Sequence, residues 1–509
     1  MARFGFVGAS YSSASLNADA QTCMNWVIEK VESDQGKGPL LMREREGLVL
    51  FCTLPTGPGR PGGKFSIDTN PAGRDFAVSG SVLYELFSNG TYRAIGDVGN
   101  DGGLITWGCN ATNTQVALCS NGIIYVLSLT SGTLTQIPPA TFSQGYVSMI
   151  EEIDDFFIAL ISNTNIFYNS SPDDATSWPG AQANEVSVNS FRGNIRAIKQ
   201  DSRQLGILGK TRGLAYYNTG ASVTPFSPIP GGNIQGGIAA PSTLITLDNT
   251  WFWLDQDERG WGIFRRYASG GPQRVSNHAI ESAWSNYASI SDAICFPYQN
   301  NGHSFAVLQF PSANGGRGAT WAYDVATGLW GERDFWNAGQ GLSYSYLPQA
   351  HSFCFGKHLV NDSTSGNIYT LSNLVISDNG NAMRRVRRAP HISVEQERQS
   401  HHSLQVDVEV GLGPIPLLLD GSGNARGPQL MLRWSDTSTK TWSNIYPRDC
   451  GQVGQYRTRV IWRRMGQTRD RVYELSATDP VPMPIIDAYL KASGMTTQKR
   501  IVKELAERA

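Results

Sequence analysis

Charged side chains are scarce in this chain. Asp, Glu, Lys and Arg together make up 17% of its 509 residues, below the roughly 25% of an average soluble domain. A low share of charge combined with 54 glycines is typical of turn-rich β structure, often within an assembly that covers part of the surface.

Cysteine pairs and long apolar runs are also missing. The seven cysteines are an odd number spread along the chain, with no C-x-x-C pair and no histidine at zinc-ligand spacing. We therefore expect buried, reduced thiols, which fits assembly in a cytoplasm. No window approaches 18 uninterrupted apolar residues and the start, Met1–Gly5, has no apolar h-region, so we expect neither a membrane span nor a signal peptide.

Catalytic and metal-binding motifs are missing as well. The sequence contains no G-x-S-x-G elbow, Walker loop or H-E-x-x-H motif. Its one adjacent histidine pair, His401–His402, lies in a predicted strand, where neighbours point to opposite faces and do not share a metal ion. The sequence therefore predicts no enzyme, no cofactor and no metal site.

Acidic clusters leave one alternative open, a carbohydrate-active or receptor-binding protein. Glycoside hydrolysis needs two carboxylates flanking the substrate, and adjacent acids occur within Glu151–Asp155, Asp173–Asp174 and Asp255–Glu258. The sequence places no two of them across a cleft, and adjacent acids on loops are usually solvated turns. The third cluster also lacks the Gly and the distal Glu of a calcium loop.

A second motif bears on the same alternative. Ser435–Trp442 resembles the Asp-box of sialidase propellers, S-x-D-x-G-x-T-W, with Thr437 in place of the Asp and Thr439 in place of the Gly. Even an intact box shapes a turn and carries no catalysis, so we interpret this copy as a hairpin. With the Trp-rich segment Trp251–Trp261, it motivates the alternative of a sialidase-like receptor-binding propeller.

What the chain does contain is a repeated hairpin of β-branched and aromatic residues. Four clear copies, of which the first three run into a Gly-containing turn, are Val82–Leu86, Ile123–Leu127, Trp321–Asp324 and Asn367–Leu371. The tyrosines of the first two copies are 41 positions apart, and those of the last two 46. Weaker copies marked by Tyr168, Tyr217 and Trp253 follow at spacings of 43, 49 and 36, and a gap of 70 then leads to Tyr323.

A repeat of about 40–50 residues built of hairpins predicts a β-propeller with one four-stranded blade per repeat. The spacing allows six or seven irregular blades within residues 66–383, and the long gap indicates an insertion or a displaced marker. Because propellers are mostly interaction platforms, the repeat argues against catalysis.

Other segments flank the predicted propeller. Residues 1–65 are expected to form an irregular N-terminal arm, because Gly36–Pro39 and Pro55–Gly63 interrupt long elements. Residues 384–490 begin with a basic linker and continue with strands that alternate apolar and polar residues, as in Leu404–Val410. This pattern predicts a C-terminal antiparallel β-sandwich-like domain.

The end of the chain differs in its pattern. Ile501, Val502 and Leu505 recur at helical spacing. We therefore predict a C-terminal tail helix over residues 491–509, which could dock on a neighbour. The predicted fold is mainly β, with this helix as its exception.

The net charge of −1 conceals an asymmetry. Residues 384–509 carry 20 Lys and Arg against 13 Asp and Glu, and the remainder carries 22 against 30. Arginine is suited to fixed, bidentate pairing at interfaces, although ordinary solvated faces, internal salt bridges and non-specific attraction to DNA phosphates remain open. The residues predicted as a subunit or partner interface are Arg384, Arg385, Arg387, Arg388, Arg457, Arg459, Arg463 and Arg464. Arg457 and Arg459 are expected to share one face of a strand.

The chain resembles the tail hub or nozzle proteins of short-tailed bacteriophages, the packaged DNA stabilisation proteins or tail accessory factors. Three stretches carry the resemblance: Asn17–Trp26 followed by Gly36–Pro39, the blade Val82–Ile137, and Leu430–Asp436 with Thr441–Ser443 and Gly454–Arg464. These motifs mark architecture, and none of them is diagnostic alone.

The resemblance implies a structural protein of the virion tail, assembled in the host cytoplasm. It implies a homo-hexameric ring beneath the portal and its adaptor protein, which continues the DNA channel and retains the genome. The implied partners are the portal-adaptor protein, the tail needle, fibres or spikes, and packaged duplex DNA through non-specific contact, with no membrane. No catalytic or cofactor-binding residue is carried over.

Overall fold

Strands make up nearly all of the regular secondary structure in the described part of the chain. A computed structural model describes residues 2–33, 36–67, 73–142, 145–180, 183–185, 193–222, 224–257, 259–268, 270–413 and 418–494. Six strands precede the first blade: β1 (Ala2–Arg3), β2 (Tyr11–Ser12), β3 (Ala20–Met24), β4 (Trp26–Lys30), β5 (Leu40–Glu44) and β6 (Gly47–Thr53).

Seven blades follow one another around a ring in the described part of the chain. Blades 1 and 2 contain β7 (Gly59–Ile67), β8 (Arg74–Ser79), β9 (Val82–Leu86) and β10 (Tyr92–Asp97), then β11 (Thr106–Cys109), β12 (Gln115–Ser120), β13 (Ile123–Ser128) and β14 (Leu134–Ile137). Blades 3 and 4 contain β15 (Val147–Ile153), β16 (Phe156–Ile161), β17 (Ile166–Asn169) and β18 (Ala183–Glu185), then β19 (Ile195–Asp201), β20 (Gln204–Gly209), β21 (Arg212–Asn218) and β22 (Phe226–Gln235).

The remaining blades carry two short helical insertions. Blade 5 contains β23 (Ile245–Leu247), β24 (Thr250–Gln256), β25 (Gly262–Ala268) and β26 (Gly271–Arg274), and helix α1 (His278–Ser285) follows it. Blade 6 contains β27 (Ile294–Asn300), β28 (His303–Phe310), the single turn α2 (Ala313–Gly316), β29 (Ala319–Asp324) and β30 (Leu329–Asn337), with β31 (Leu342–Ser345) paired to β30. Blade 7 contains β32 (His351–Cys354), β33 (Lys357–Asn361) and β34 (Asn367–Ser372).

The ring is closed by a strand from the start of the chain. Strand β6 pairs with β34 and becomes the fourth strand of blade 7, with Leu50 opposite Tyr369. Innermost strand β32 of blade 7 in turn packs against β7, the innermost strand of blade 1. The described residues therefore give seven blades, within the predicted range, and the mainly β fold with a propeller is confirmed.

The gap of 70 residues has a clear cause. The marker tyrosines lie in the third strand of their blades, whereas Trp253 lies in the second strand of blade 5. The third strand of that blade carries Tyr267, against which Trp251 packs at 5.4 Å between ring centroids. Both expected causes contribute to the gap. The marker Trp253 lies one strand too early in its blade, and helix α1 is an insertion that lengthens the connection to blade 6.

The second domain is a β-sandwich. Its strands from the end of the chain are β35 (Ser377–Asp378), β36 (Asn381–Ala382), β37 (Arg385–Arg388), β38 (Ile392–Ser393), β39 (Gln399–Val408), β40 (Leu418–Leu419), β41 (Ala425–Arg426), β42 (Gln429–Ser435), β43 (Tyr446–Asp449), β44 (Val460–Arg463), β45 (Gln467–Thr468), β46 (Asp470–Ala477) and β47 (Ile485–Gly494), of which β35 and β36 extend blade 7. One sheet has the order β4-β5-β47-β39-β44 and the other the order β3-β37-β46-β42-β43. Between them lies an apolar core that includes Phe6, Leu404, Trp462 and Tyr473.

The first residues of the chain are therefore not an irregular arm. Strands β1 to β5 belong to the sandwich, and β6 and β7 belong to the propeller. Glycine and proline did not prevent strand formation in Gly59–Ile67, because a bulge between Gly59 and Lys64 accommodates them. The predicted irregular structure of residues 1–65 is wrong in these strands.

The predicted tail helix also needs a correction. Strand β47 continues to Gly494, so residues 491–494 are extended because they pair with β39. The rest of that prediction, residues 495–509, lies outside the described residues.

A buried polar junction joins the two domains. Strand β3 pairs in parallel with β30 of blade 6, where Met24 is opposite Glu332. Asn25, with a φ of 57°, redirects the chain from one sandwich sheet to the other, and its side-chain oxygen accepts from Arg45 at 2.8 Å. Arg45 in turn holds Asp378 with two bonds of 2.7 and 3.0 Å, so the junction is closed by ionic contacts from both domains.

Candidate assembly surface

The basic linker forms a strand in the interior of the sandwich. Strand β37 lies between β3 and β46, and the side chains of Arg385 and Arg387 are 0% exposed. Arg385 donates to the Glu44 carboxylate at 2.7 Å and to the Val481 carbonyl at 2.9 Å. Burial lowers the pKa of Arg385, and Glu44 opposes that shift.

Arg387 fixes the start of the chain. Its guanidinium donates to the carbonyls of Phe6 at 2.7 Å and Ala9 at 3.0 Å, and to the Gln21 side chain at 2.7 Å. Burial lowers its pKa to about 10. Because their guanidinium groups are buried and bonded within the chain, Arg385 and Arg387 cannot contact a partner in this fold, which corrects the prediction for these two residues.

The two outer arginines of the linker are partly buried. Arg388 donates to Glu474 at 2.8 and 3.0 Å. Arg384 lies over the ring of Trp336 at 4.7 Å, and burial lowers its pKa. Both stay candidates for a partner interface, although each already has a contact within the chain.

The second arginine group lies at the surface. Arg457, Arg459, Arg463 and Arg464 are all exposed. Strand β44 begins at Val460, so the predicted shared strand face of Arg457 and Arg459 is wrong, since Arg457 lies in a turn. Arg459 donates to the Gln405 side chain at 2.6 Å, and none of the four arginines forms a salt bridge with a described residue.

Several acids of the sandwich are paired with other cations. Glu474 accepts from Arg388 and from Arg433, the latter at 2.5 Å. Further pairs with distances of 2.6 to 3.2 Å are Asp436–Arg471, Asp479–Arg426 and Asp407–Lys37. None of these pairs involves Arg457, Arg459, Arg463 or Arg464.

Exposed apolar side chains lie beside these arginines. Strand β43 is an edge strand whose four residues are all exposed, and it meets β44 through bonds from Arg448 to the Ile461 carbonyl, 3.1 Å, and from Trp462 to the Tyr446 carbonyl, 2.7 Å. Ile445 is 54% and Tyr456 is 69% exposed. We name this surface the sandwich edge, and its residues are Ile445, Tyr446, Arg448, Tyr456, Arg457, Arg459, Arg463 and Arg464.

Sequence reasoning missed Ile445, Tyr446, Arg448 and Tyr456. A signal was present, since large apolar residues and arginines alternate with turn residues between 445 and 459. The exposure of Tyr446 and Arg448 follows from the position of β43 at the end of its sheet, and that position is known only once the strand pairing is known.

Acids of the predicted acidic clusters form ion pairs with nearby Lys and Arg side chains. Lys199 donates to Glu151 at 2.7 Å. Two further pairs of this kind are Asp154–Arg203 at 2.8 Å and Asp255–Arg265 at 2.6 Å. The described residues contain no group of three or more His, Cys, Asp or Glu side chains that could hold a metal ion.

The Asp-box-like stretch lies in the sandwich. It connects β42 to β43, which pair antiparallel, so its interpretation as a hairpin is confirmed. The Ser435 hydroxyl accepts from the Thr439 amide at 2.9 Å, and Thr439 has a φ of 71°, the conformation that favours the glycine of an intact box.

A central cavity runs between the innermost strands of the blades. It has a volume of about 310 Å³, and its lining includes Trp107, Glu151, Lys199 and His351. Glu151 is the single carboxylate residue among the described lining residues, and burial raises its pKa while Lys199 lowers it. This lining falls short of the two carboxylates that glycoside hydrolysis needs.

The two neighbouring histidines have separate environments. His401 is buried and bonded to the Tyr473 hydroxyl at 2.8 Å, whereas His402 is exposed and bonded to Ser493 at 2.7 Å. As expected for a strand, they point to opposite faces. No helix within the described ranges is long and apolar enough to span a membrane.

Comparisons with solved structures return matches of low sequence identity. The WD40 propeller domain of Doa1 has 9% identity and a TM-score of 0.39, covering 64% of this chain and 97% of that one. Virginiamycin B lyase from Staphylococcus aureus has 9% identity and a TM-score of 0.39, covering 68% and 99%. No curated protein matches the sequence.

Two family matches cover most of the chain. Residues 9–375 match the family described as "Bacteriophage P22 Gp10, beta-propeller". Residues 384–493 match "Bacteriophage P22 Gp10, beta-sandwich", which is the second domain seen in the fold. The chain belongs to the phage stabilisation family of Bacteriophage P22 Gp10.

Proposed function

We propose that this chain is a non-enzymatic structural protein of a phage tail that forms a hexameric ring beneath the portal and its adaptor protein. The ring continues the DNA channel, retains the packaged genome and anchors the tail needle, fibres or spikes. The observation that carries this proposal is membership of the phage stabilisation family over residues 9–375 and 384–493.

The propeller itself is not the DNA channel. Its central cavity of about 310 Å³ has room for about ten water molecules, and side chains from all seven blades enclose it. A channel for duplex DNA therefore lies on the axis of a ring of several copies, outside any single propeller.

The charge distribution is consistent with such a ring. Residues 1–383, which include the whole propeller, carry 22 Lys and Arg against 30 Asp and Glu, and an acidic surface facing the channel lets DNA slide with only non-specific contact. The basic sandwich then connects subunits or the adaptor.

Electron microscopy of the purified chain with its adaptor protein tests the proposal. We expect a closed ring with an axial opening wide enough for duplex DNA, and particles made without this chain should lose their packaged DNA. A stable monomer that binds or hydrolyses sugars would contradict the ring and support the receptor-binding alternative.

A further inference from the structure

The sandwich edge carries more arginines than acids: Asp449 ends β43, and Glu409 lines the same cavity as Tyr456. Arg457, Arg459, Arg463 and Arg464 are exposed, and no salt bridge within the described residues involves them. The exposed ring of Tyr456 and the exposed side chain of Ile445 lie among them. Arginine mixed with exposed aromatic and aliphatic side chains is typical of a protein interface, whereas phosphate contact needs no apolar component.

A complementary surface exists on blade 3. The turn between β15 and β16 consists of Asp154 and Asp155, both with positive φ, and the Asp155 carbonyl accepts from the Asp173 amide at 2.7 Å. Burial raises the pKa of nearby Glu152, and the negative charges of Asp155 and Asp154 add to that shift. Arg203 forms an ion pair with Asp154 and is the single cation paired with these four acids among the described residues.

The sandwich is attached to the ring of blades at a point far from blade 3. The sandwich is joined to blade 6 through the pairing of β3 with β30. In a ring of seven blades, blade 3 is three blades away from blade 6, which is the largest separation that such a ring allows. A contact between two different surfaces of one protomer produces a closed ring when the rotation between copies closes.

We infer that copies of this chain join head to tail, with the sandwich edge of one copy docked on the acidic turns of blade 3 of the next. The occupant of the sandwich edge is thus a second copy. This inference rests on the proposed ring and adds the two surfaces that form its subunit contact.

A charge swap in the full-length chain tests the contact. The edge variant is Arg457→Glu, Arg459→Glu and Arg463→Glu, and the blade variant is Asp154→Lys, Asp155→Lys and Asp173→Lys. Each should weaken self-association about 100-fold in sedimentation at about 0.05 M salt, because like charges then face each other. Mixing the two variants, or combining them in one chain, should restore association to within about tenfold of the unsubstituted protein.

Matched controls separate charge from folding. Arg212→Glu, Arg259→Glu and Arg317→Glu makes the same charge change on exposed residues near the opposite turns of the propeller, and should leave association unchanged. Asp154→Asn and Asp155→Asn keeps the left-handed turn, which Asn tolerates, and should still weaken association.

Three results would overturn the inference. The edge variant could form rings as readily as the unsubstituted chain, which would leave the tail-ring proposal standing. The swapped pair could fail to reassociate while the edge variant alone loses binding to duplex DNA, which would assign the edge to nucleic acid. A chain that stays monomeric even with its adaptor would overturn both proposals.

Discussion

Two arginine-rich segments of the sandwich, β37 with Arg384 and the region around β44, have similar compositions and opposite environments. Strand β37 pairs on both sides, and Arg385 and Arg387 lie fully buried. Strand β44 ends its sheet, and Arg463 beside it is exposed. A buried guanidinium must satisfy its donors within the chain, whereas an exposed one at an edge is available to a partner. The comparison assigns β37 to stability, and it leaves β44 available for the assembly role that we propose.

The largest expected effect comes from removing a buried charge at β37. Arg385→Met leaves the buried carboxylate of Glu44 without its cation and should lower the free energy of unfolding by about 3–5 kcal/mol. Urea unfolding followed by tryptophan fluorescence measures this. The double variant Arg385→Met with Glu44→Gln should recover part of the lost stability. An unchanged unfolding midpoint for Arg385→Met alone would contradict the stabilising role of β37.

Arg387→Lys should have the next largest effect. A single ammonium cannot reproduce the bonds of Arg387 to two backbone carbonyls and Gln21, so we expect a loss of about 2 kcal/mol. Hydrogen exchange should increase around Phe6 and Cys23. Arg388→Lys is the control, since Arg388 bonds to a single carboxylate; equal effects of the two variants would contradict the anchoring role.

The third prediction concerns Glu332, at the pairing between β30 and β3. Burial raises the pKa of its carboxyl to about 7 and Asp334 adds to the shift, although Ser10 and Arg388 oppose it. The folded protein thus favours the protonated form, and stability decreases as the pH rises from the unfolded value near 4.5 through about 7. Glu332→Gln should be more stable than the unsubstituted protein by about 2 kcal/mol at pH 8, with no difference at pH 4.

Thermal unfolding between pH 4 and pH 8 measures this dependence. Asp155→Asn, at an exposed turn, is the control and should show no comparable stabilisation at pH 8. A difference between Glu332→Gln and the unsubstituted protein that does not change with pH would contradict a raised pKa.

The smallest expected effect on stability belongs to β44. Arg463→Ala should change the free energy of unfolding by less than about 0.5 kcal/mol, because the side chain is exposed. Sedimentation of the same sample should nevertheless show weaker self-association. A loss of stability for Arg463→Ala as large as that for Arg385→Met would contradict the conclusion that arginines of β37, but not of β44, stabilise the fold.

The sequence was sufficient to predict the mainly β fold, because hairpin turns and apolar strands are local properties. Tyr84 and Tyr125 mark equivalent strands at 41 positions, and the alternation in Leu404–Val410 predicts a strand with one buried face. The C-terminal sandwich-like domain and the resemblance to phage tail proteins followed from such local patterns.

The sequence could not predict in the same way which sheet each strand belongs to. Strand β6 completes a blade whose other strands lie about 300 residues later, and β3 pairs with both β30 and β37. These contacts depend on long-range pairing, which leaves no local periodicity.

The chain by itself therefore determined that arginine is concentrated in two segments of the sandwich, and that propeller repeats precede them. Only the tertiary structure decided that Arg385 and Arg387 face the interior while Arg457 and Arg463 face solvent. The physical reason is that both faces of β37 are covered by the rest of the fold, whereas β44 turns Val460 and Trp462 to the core and leaves Arg463 in solvent, with Arg457 in the turn before it.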